Sequence, residues 1–396
     1  MKHKAVLGVG VLLLASVLPP RAQESKSESS KLDLTQPYLL LATARTSTMQ
    51  EEINQAAAAG YRVLVGGRTG GGELSVLLGK VAQLPEVYEY VLLATQLTST
   101  MQKELEDAAA RGFRLLPRTM MGGETEIVVV LEKAPGAPSP SQYLLLATKL
   151  TGTLQKEMKQ ATEQGYQVAG MVSRKEHMVI LEKPAQRPEE SPSVSAAQSE
   201  PDLADRYLLL ATEKTSTMQK ELDKAAKAGH HILAGSPSSV SEIMMLLEKG
   251  AQPTNAYQYK LLATNKGSTL QKELNEVAAK GFRLRPETVT GKRGTGGGWR
   301  SIASSVSVGG MGDFGIVGAP DEIVAVMEKT PDSSRRYQYL VLDTMRTSTM
   351  QEEVSKGAGE GYEVVSMVGS PGKSNQAQLM GVMANLILIL EKSVNQ

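Results

Sequence analysis

The chain has 396 residues, of which 41% are apolar, 21% charged and 4% aromatic, and its formal net charge is +1. This length predicts more than one domain, and the apolar and charged fractions are those of folded proteins, which excludes global disorder. The sequence contains no cysteine. Disulfides, iron–sulfur clusters and thiolate zinc sites are therefore excluded.

The N-terminus has the pattern of an export signal. Lys2 and Lys4 precede an apolar run over residues 5–18, which is too short to span a bilayer and is typical of a cleaved signal peptide. We predict a signal peptide of residues 1–22 and a periplasmic or secreted mature protein without a membrane span. The alternative is an uncleaved membrane anchor. The near-neutral charge gives no electrostatic drive towards nucleic acid.

One sequence motif recurs six times after the signal. The copies begin at Tyr38 (YLLLATARTSTMQEEI), Tyr90, Tyr143, Tyr207, Tyr259 and Tyr339. The predicted repeats are 38–80, 90–133, 143–183, 207–249, 259–329 and 339–392. Self-similarity at this period predicts a repeat architecture in which each copy is one supersecondary unit.

Each copy has the pattern of a strand, a helix and two further strands. An apolar run that ends at a threonine, as at Thr43, is followed by Ser-Thr-Met-Gln, in which Ser47 and Gln50 have the spacing of a helix capping box. The helix ends at a glycine such as Gly60, and an aromatic residue such as Tyr61 opens the second strand. We predict an α+β fold of six tandem βαββ repeats, each a three-stranded sheet with one helix.

The strands also predict how the repeats pack. In the first and third strands both the odd and the even positions are apolar, which is typical of a sheet that is covered on both faces. One helix can cover only one of these faces. We therefore expect the repeats to pack against one another through their sheets, in pairs or edge to edge. Residues 184–206 are rich in Pro, Ser and Glu, which predicts a flexible linker. Either repeats 3 and 4 pair across it or each half forms an array of three repeats.

The repeats resemble a known class of domain. The Gly-aromatic-x-Val/Leu ending of the helix, as in Gly60-Tyr61-Arg62-Val63, and the final strand Glu126–Lys133 (EIVVVLEK) are similar to the small bacterial βαββ domains of unknown function that end their helix with Gly-Trp-Glu-Leu. The resemblance covers all six copies. It implies the fold and no activity, and this sequence departs from it by placing Tyr, Phe or His where tryptophan is frequent.

The sequence predicts no catalytic, cofactor or metal site. His230 and His231 are adjacent on a strand and would point to opposite faces, which disfavours a shared metal. The segment 369–374 (GSPGKS) looks like a phosphate loop, but Met367 occupies the position of its first glycine. The repeated residues of the Thr43 and Gln50 type either end the strand and cap the helix or line six anion sites at helix N-termini.

An insertion in the fifth repeat, at 287–320, is the most unusual segment. Lys292, Arg293 and Arg300 surround Trp299 in a glycine-rich setting, and Phe314 follows. An aromatic and basic loop of this kind predicts contact with a partner, either a protein or an envelope polymer. The alternative is that the two aromatic side chains fold back on the domain.

The repeated architecture multiplies surface and does not build one active site. The sequence therefore predicts an exported, non-enzymatic binding or scaffolding protein of the bacterial envelope. A carrier that holds a small apolar ligand between paired sheets is the alternative. An enzyme with an unrecognised carboxylate site is a third hypothesis, and it requires a carboxyl group with a raised pKa inside a cleft.

Overall fold

The computed structural model describes residues 32–69, 73–81, 87–122, 126–135, 141–173, 176–184, 206–237, 242–250, 256–292, 322–331, 335–344, 346–369 and 386–394. The predicted signal peptide and residues 185–205 of the predicted linker lie outside these ranges. Residues 34–396 form one structural unit. Within the described ranges, no helix combines the length and the apolar character needed to cross a membrane.

Six helices of 12 or 13 residues recur along the described chain, one in each repeat. They are α1 Thr46–Ala58, α2 Thr98–Ala110, α3 Thr151–Glu163, α4 Thr215–Lys227, α5 Gly267–Ala278 and α6 Thr347–Gly359. The turn before the helix is set by the threonine that ends the strand in repeats 1 to 5, where, for example, Thr43 Oγ1 accepts a hydrogen bond from the Arg45 amide at 3.2 Å. In repeat 6, Thr344 Oγ1 donates to the Arg346 carbonyl instead. The predicted helix-ending glycines are confirmed: all six have φ between 83° and 90°.

Each repeat contributes three strands to its own sheet. The first strands are β1 Tyr38–Thr43, β4 Glu89–Thr95, β8 Gln142–Thr148, β11 Tyr207–Thr212, β14 Gln258–Thr264 and β17 Arg336–Thr344. The second strands are β2 Tyr61–Arg68, the pair β5 Arg114–Leu115 and β6 Met121–Gly122, β9 Gln167–Ser173, β12 His230–Pro237, β15 Arg283–Lys292 and β18 Glu363–Gly369. The third strands are β3 Leu74–Lys80, β7 Ile127–Lys133, β10 His177–Lys183, β13 Ile243–Lys249, β16 Glu322–Lys329 and β19 Leu386–Val394. The α+β fold with six βαββ units is thus confirmed.

The third strand lies in the middle of every sheet and is antiparallel to both neighbours. It is apolar on both faces because both faces are covered: Val76, Leu77 and Leu78 are all 0% exposed. One face packs on the helix of the same repeat, and the other packs on the preceding repeat. In one core, for example, Leu154 and Met158 of α3 pack with Met244 and Leu246 of the next repeat.

The repeats close into a ring. Each helix packs on its own sheet and on the first strand of the following repeat, and α6 packs on β1 in the same way. The core between repeats 6 and 1 joins Met350 and Val354 to Leu40 and Leu77. The prediction that sheets pack on each other within the chain is confirmed, but each repeat contacts two neighbours instead of forming a pair. Repeats 3 and 4 are one such neighbouring pair, on either side of the linker.

The second strands form the inner wall of the ring, since each one contacts the second strands of the repeats before and after it. A bulge interrupts the second strand, at Leu64 in repeat 1 for example. The interruption is wider in two repeats. In repeat 2 it contains a 3-10 turn over Pro117–Thr119, and in repeat 5 the register shifts between Arg285 and Thr290. These repeats are three positions apart and therefore face each other across the ring axis.

Candidate functional site

The repeated glutamine does not cap its helix, so the capping-box prediction is wrong. Helix α1 begins at Thr46, and its N-cap residue Arg45 makes no side-chain capping hydrogen bond. The other five helices begin in the same way, with no side-chain cap. Ser47 and Gln50 therefore both lie inside the helix. The glutamine side chain is available for a contact outside its own repeat.

The glutamine pairs with the exposed edge of the next repeat's first strand. Gln50 Nε2 donates to the Tyr90 carbonyl at 2.9 Å, and Gln50 Oε1 accepts from the Leu92 amide at 2.6 Å. One amide side chain thus replaces a neighbouring strand and satisfies two backbone groups at a sheet edge. The junction glutamines that bond the following first strand in this way are Gln50, Gln102, Gln155, Gln219, Gln271 and Gln351. Only Gln271 differs among these six, since Asn275 bonds Tyr339 in its place.

The tyrosine that opens each first strand is the second component of the junction. Its hydroxyl accepts a hydrogen bond from the second strand of the preceding repeat, at 2.9 Å from the Leu115 amide to Tyr143. The junction tyrosines are Tyr38, Tyr90, Tyr143, Tyr207, Tyr259 and Tyr339. Burial raises the pKa of all six phenols, and it raises the pKa of Tyr143 to about 12.

A buried glutamate near the end of the third strand is the third component. Glu391 is 7% exposed and accepts hydrogen bonds from the Tyr339 hydroxyl at 2.8 Å and from Arg283 of the preceding repeat at 2.7 Å. Arg62 with Glu132 and Arg114 with Glu182 form the corresponding ion pairs, each at 2.7 Å. The repeated polar residues therefore have architectural partners, and a shared role in ligand binding is not needed to explain their spacing.

A cavity of about 520 Å³ lies where the ring departs from its repeat pattern. We call it the axial cavity. Its walls come from repeats 2, 5 and 6 and the segment between the last two: Arg118, Gly281, Arg283, Leu284, Arg285, Pro286, Glu287, Glu328, Thr330, Arg335, Tyr337 and Val365. Four arginines and two glutamates line it, and one of these arginines, Arg283, is paired with Glu391, so the described wall keeps a small excess of positive charge. This lining suits an anion better than an apolar ligand.

The wide bulges of repeats 2 and 5 bring charged side chains to the cavity. Pro117 and Pro286 interrupt the second strand at equivalent places. A threonine hydroxyl then makes the hydrogen bond to the third strand that the interrupted backbone does not make. Thr119 Oγ1 accepts from the Val130 amide, and Thr288 Oγ1 accepts from the Val326 amide, both at 2.9 Å. The bulged backbone is thereby held in place, and it carries Arg118 on one side of the axis and Glu287 on the other.

The polar groups in the cavity are incompletely paired. Arg285 Nε lies 3.7 Å from Glu287 Oε2, and both of these atoms are buried without a hydrogen-bond partner. Arg118 and Arg335 are exposed and form no ion pair with any residue that the structure describes. The axial cavity therefore has two guanidinium groups without a described ion-pair partner in its wall.

Of the residues predicted to bind a partner, the structure describes Lys292. Lys292 is the last residue of β15, where its Nζ is 3.7 Å from Glu322 Oε2. Residues 287–292 of the predicted insertion belong to this strand. Arg293, Trp299, Arg300 and Phe314 lie outside the described residues.

The remaining candidates for metal binding or catalysis are histidines and carboxylates outside the axial cavity. His177 begins β10, and burial lowers its pKa. Within the described ranges, no cluster of three or more His, Asp or Glu side chains could hold a metal. Burial raises the pKa of Glu52, but this residue is on α1 and does not line the axial cavity.

Comparison with known proteins gives no relative: the chain matches no protein-family model, and no curated protein sequence matches it.

Sequence reasoning missed the axial cavity, although a signal for it is present. The segments 114–119 (RLLPRT) and 283–288 (RLRPET) share an arginine, a proline and a threonine at the same offsets. The other four repeats lack this proline at the corresponding place. A proline inside a predicted strand marks an irregularity, and its recurrence three repeats apart indicates two matching bulges.

Proposed function

We propose that this chain is an exported, non-enzymatic binding or scaffolding protein of the bacterial envelope. One observation carries the proposal: the polar residues that recur in the repeats are used to join each repeat to the next. Gln50, Tyr90 and Glu132, for example, all bond across one junction. Chemistry repeated six times therefore serves to build a closed platform, and specificity is left to the places where the repeats differ.

The repeats differ at two kinds of place. One is the axial cavity, formed by the wide bulges. The other is the connection between second and third strands, which spans residues 293–321 in repeat 5 and 370–385 in repeat 6 and is short elsewhere. The first of these connections contains the predicted contact residues Arg293, Trp299, Arg300 and Phe314, and we propose that it contributes to partner binding.

The structure shows how to remove this connection without disturbing the ring. Lys292 and Glu322 are opposite each other in the β15–β16 register, so a two-residue Asn-Gly turn can join them in place of 293–321. Gly369 and Leu386 are opposite each other in the same way. Replacing 370–385 by Asn-Gly therefore provides a matched control.

The test is capture from an envelope extract by the immobilised mature chain, followed by identification and direct titration of the purified partner. We expect the 293–321 replacement to lose binding and the 370–385 replacement to keep it. Equal binding by both variants would remove the insertion from the proposal. A turnover activity that depends on one carboxylate would overturn the non-enzymatic assignment altogether.

A further inference from the structure

The positive charge of the axial cavity is only partly compensated by the protein itself. Arg283 is bonded to Glu391 at 2.7 Å, and Arg285 shares Glu328 with the Tyr259 hydroxyl. The described residues provide no such partner for Arg118 or Arg335. Two guanidinium groups therefore face the cavity with their hydrogen-bonding capacity open to a ligand.

These arginines come from different parts of the ring. Arg118 is on the 3-10 turn of repeat 2, Arg285 is at the bulge of repeat 5, and Arg335 precedes the first strand of repeat 6. A ligand in contact with all three must bridge several elements, which favours more than one charged group. The volume of about 520 Å³ is within the range of small-molecule sites.

Arg285 has partners within the protein. Its Nη2 donates to the Ile232 carbonyl at 2.8 Å, and its Nε lies 3.7 Å from Glu287 Oε2. A carboxylate or phosphate group would instead satisfy the open guanidinium groups of Arg118 and Arg335, which can bond two oxygens of one oxyanion at once. Glu287 would repel the same ligand and weaken its binding.

We infer that the axial cavity binds a small anion with at least two negative groups, held by Arg118 and Arg335, with Arg285 in the wall between them. The shared chemistry is that of di- and tricarboxylates and of pyrophosphate compounds. This inference rests on the proposed binding function and specifies the ligand class at one of its two surfaces.

The test is isothermal titration calorimetry of the full mature chain with citrate and, separately, with inorganic pyrophosphate. We expect at least one of the two to bind, and the response to each probe distinguishes carboxylate from phosphate recognition. Substituting both open arginines (Arg118→Gln with Arg335→Gln) should weaken binding at least about tenfold, because charge-assisted hydrogen bonds are lost. The matched control is Arg45→Gln, an exposed arginine outside the cavity, which should change the affinity by less than about twofold.

A variant with the opposite sign makes the test independent of any loss of folding. Glu287→Gln removes a repulsive carboxylate, so it should strengthen binding by about threefold. Failure of both probes to bind the wild-type chain would overturn the inference, as would equal weakening by Arg45→Gln. If an envelope partner is still captured in that case, the proposed function stands without the anion site. If anions bind but no partner is captured, the scaffolding proposal fails and the cavity remains.

Discussion

The junction between repeats 5 and 6 and the junction between repeats 6 and 1 use the same helix and strand positions with different polar side chains. At the first, Arg283 and Tyr339 both bond the buried Glu391. At the second, which we call the closing junction, Glu363 occupies the place of the arginine and Gly79 that of the glutamate. The glutamine contact is kept, since Gln351 bonds Tyr38 and Leu40.

This difference would disfavour one kind of incorrect assembly. Identical junctions would let repeat 6 of one chain dock on repeat 2 or 3 of another, and open ends propagate into filaments. Glu363 would then face a buried glutamate such as Glu132 or Glu182, which is unfavourable between like charges. At the closing junction the equivalent position of the next repeat is Gly79, which has no side-chain charge. The glutamine and tyrosine contacts are common to all six junctions, whereas the Glu363 and Gly79 positions would disfavour pairing of repeat 6 with repeat 2 or 3.

Alkaline pH should have the largest effect on the ring and should sharpen the comparison. Burial raises the pKa of the junction tyrosines, and that of Tyr143 to about 12 from 10.0. The neutral phenols therefore stabilise the fold fully below pH 10, and this stability is lost as the pH rises from 10 towards 12. At about 1.4 kcal/mol per pKa unit, Tyr143 alone accounts for about 3 kcal/mol.

Urea unfolding at fixed pH values between 8 and 11.5 measures this loss. We expect Tyr143→Phe and Tyr339→Phe to reduce the slope of stability against pH more than Tyr38→Phe does. The reason is burial: Tyr143 and Tyr339 are 3% and 2% exposed, whereas Tyr38 is half-buried. Stability that stays constant up to pH 11.5 would contradict the role of these phenols.

Removing a junction glutamine should have the next largest effect. Gln351→Ala and Gln102→Ala each leave one carbonyl and one amide without a partner at a partly buried strand edge. We expect each to lower the free energy of unfolding by about 2 kcal/mol. The two variants should differ in how far their junctions open locally, because a chain segment joins repeats 2 and 3 but none directly joins repeats 6 and 1.

Amide hydrogen exchange can detect that difference. In Gln351→Ala, exchange should increase in β1 and α6 through local opening of the closing junction. In Gln102→Ala, β8 should exchange only slightly faster, since the chain segment between repeats 2 and 3 keeps it close to α2. Equal local exchange in the two variants would show that the closing junction is no weaker than the others.

Restoring a glutamate at the Gly79 position of the closing junction should give the smallest effect. Gly79→Glu places a carboxylate near Glu363, and an added Cβ at Gly79 would lie 2.9 Å from Leu64 Cδ1. We expect a loss of about 1 kcal/mol. Combining it with Glu363→Arg recreates the pair found at other junctions and should recover most of the loss. A double-mutant cycle by urea unfolding measures the coupling, and additive effects would contradict the electrostatic explanation.

The fold of one repeat could be predicted because its determinants are local. The helix-ending glycines, the strand-ending threonines and the doubly apolar third strands each specify a few neighbouring residues, and all have the predicted roles. The role of Gln50 could not be predicted in the same way. Its spacing from Ser47 matches a local capping motif, whereas its partners Tyr90 and Leu92 are 40 or more residues away.

The ring and its cavity depend on relations between repeats, which a single-repeat pattern does not contain. Tyr38 and Gln351 meet although they are 313 residues apart. Arg118 and Glu287 share a cavity because repeats 2 and 5 face each other. Once a closed ring of six repeats is assumed, the matching Pro117 and Pro286 predict this site. The sequence contains the residues that form the cavity, but it does not show that the repeats close into a ring.

Ring closure also separates the order of the repeats in the chain from their order in space. The first strand begins where the third strand ends, as the opposite positions of Arg336 and Val394 show. The end of β19 therefore lies relative to β1 as the end of every other third strand lies relative to the next first strand, although no chain segment joins the two directly. A circular permutant that joins repeat 6 to repeat 1 and begins at repeat 4 would make the same six junctions. No repeat is structurally the first.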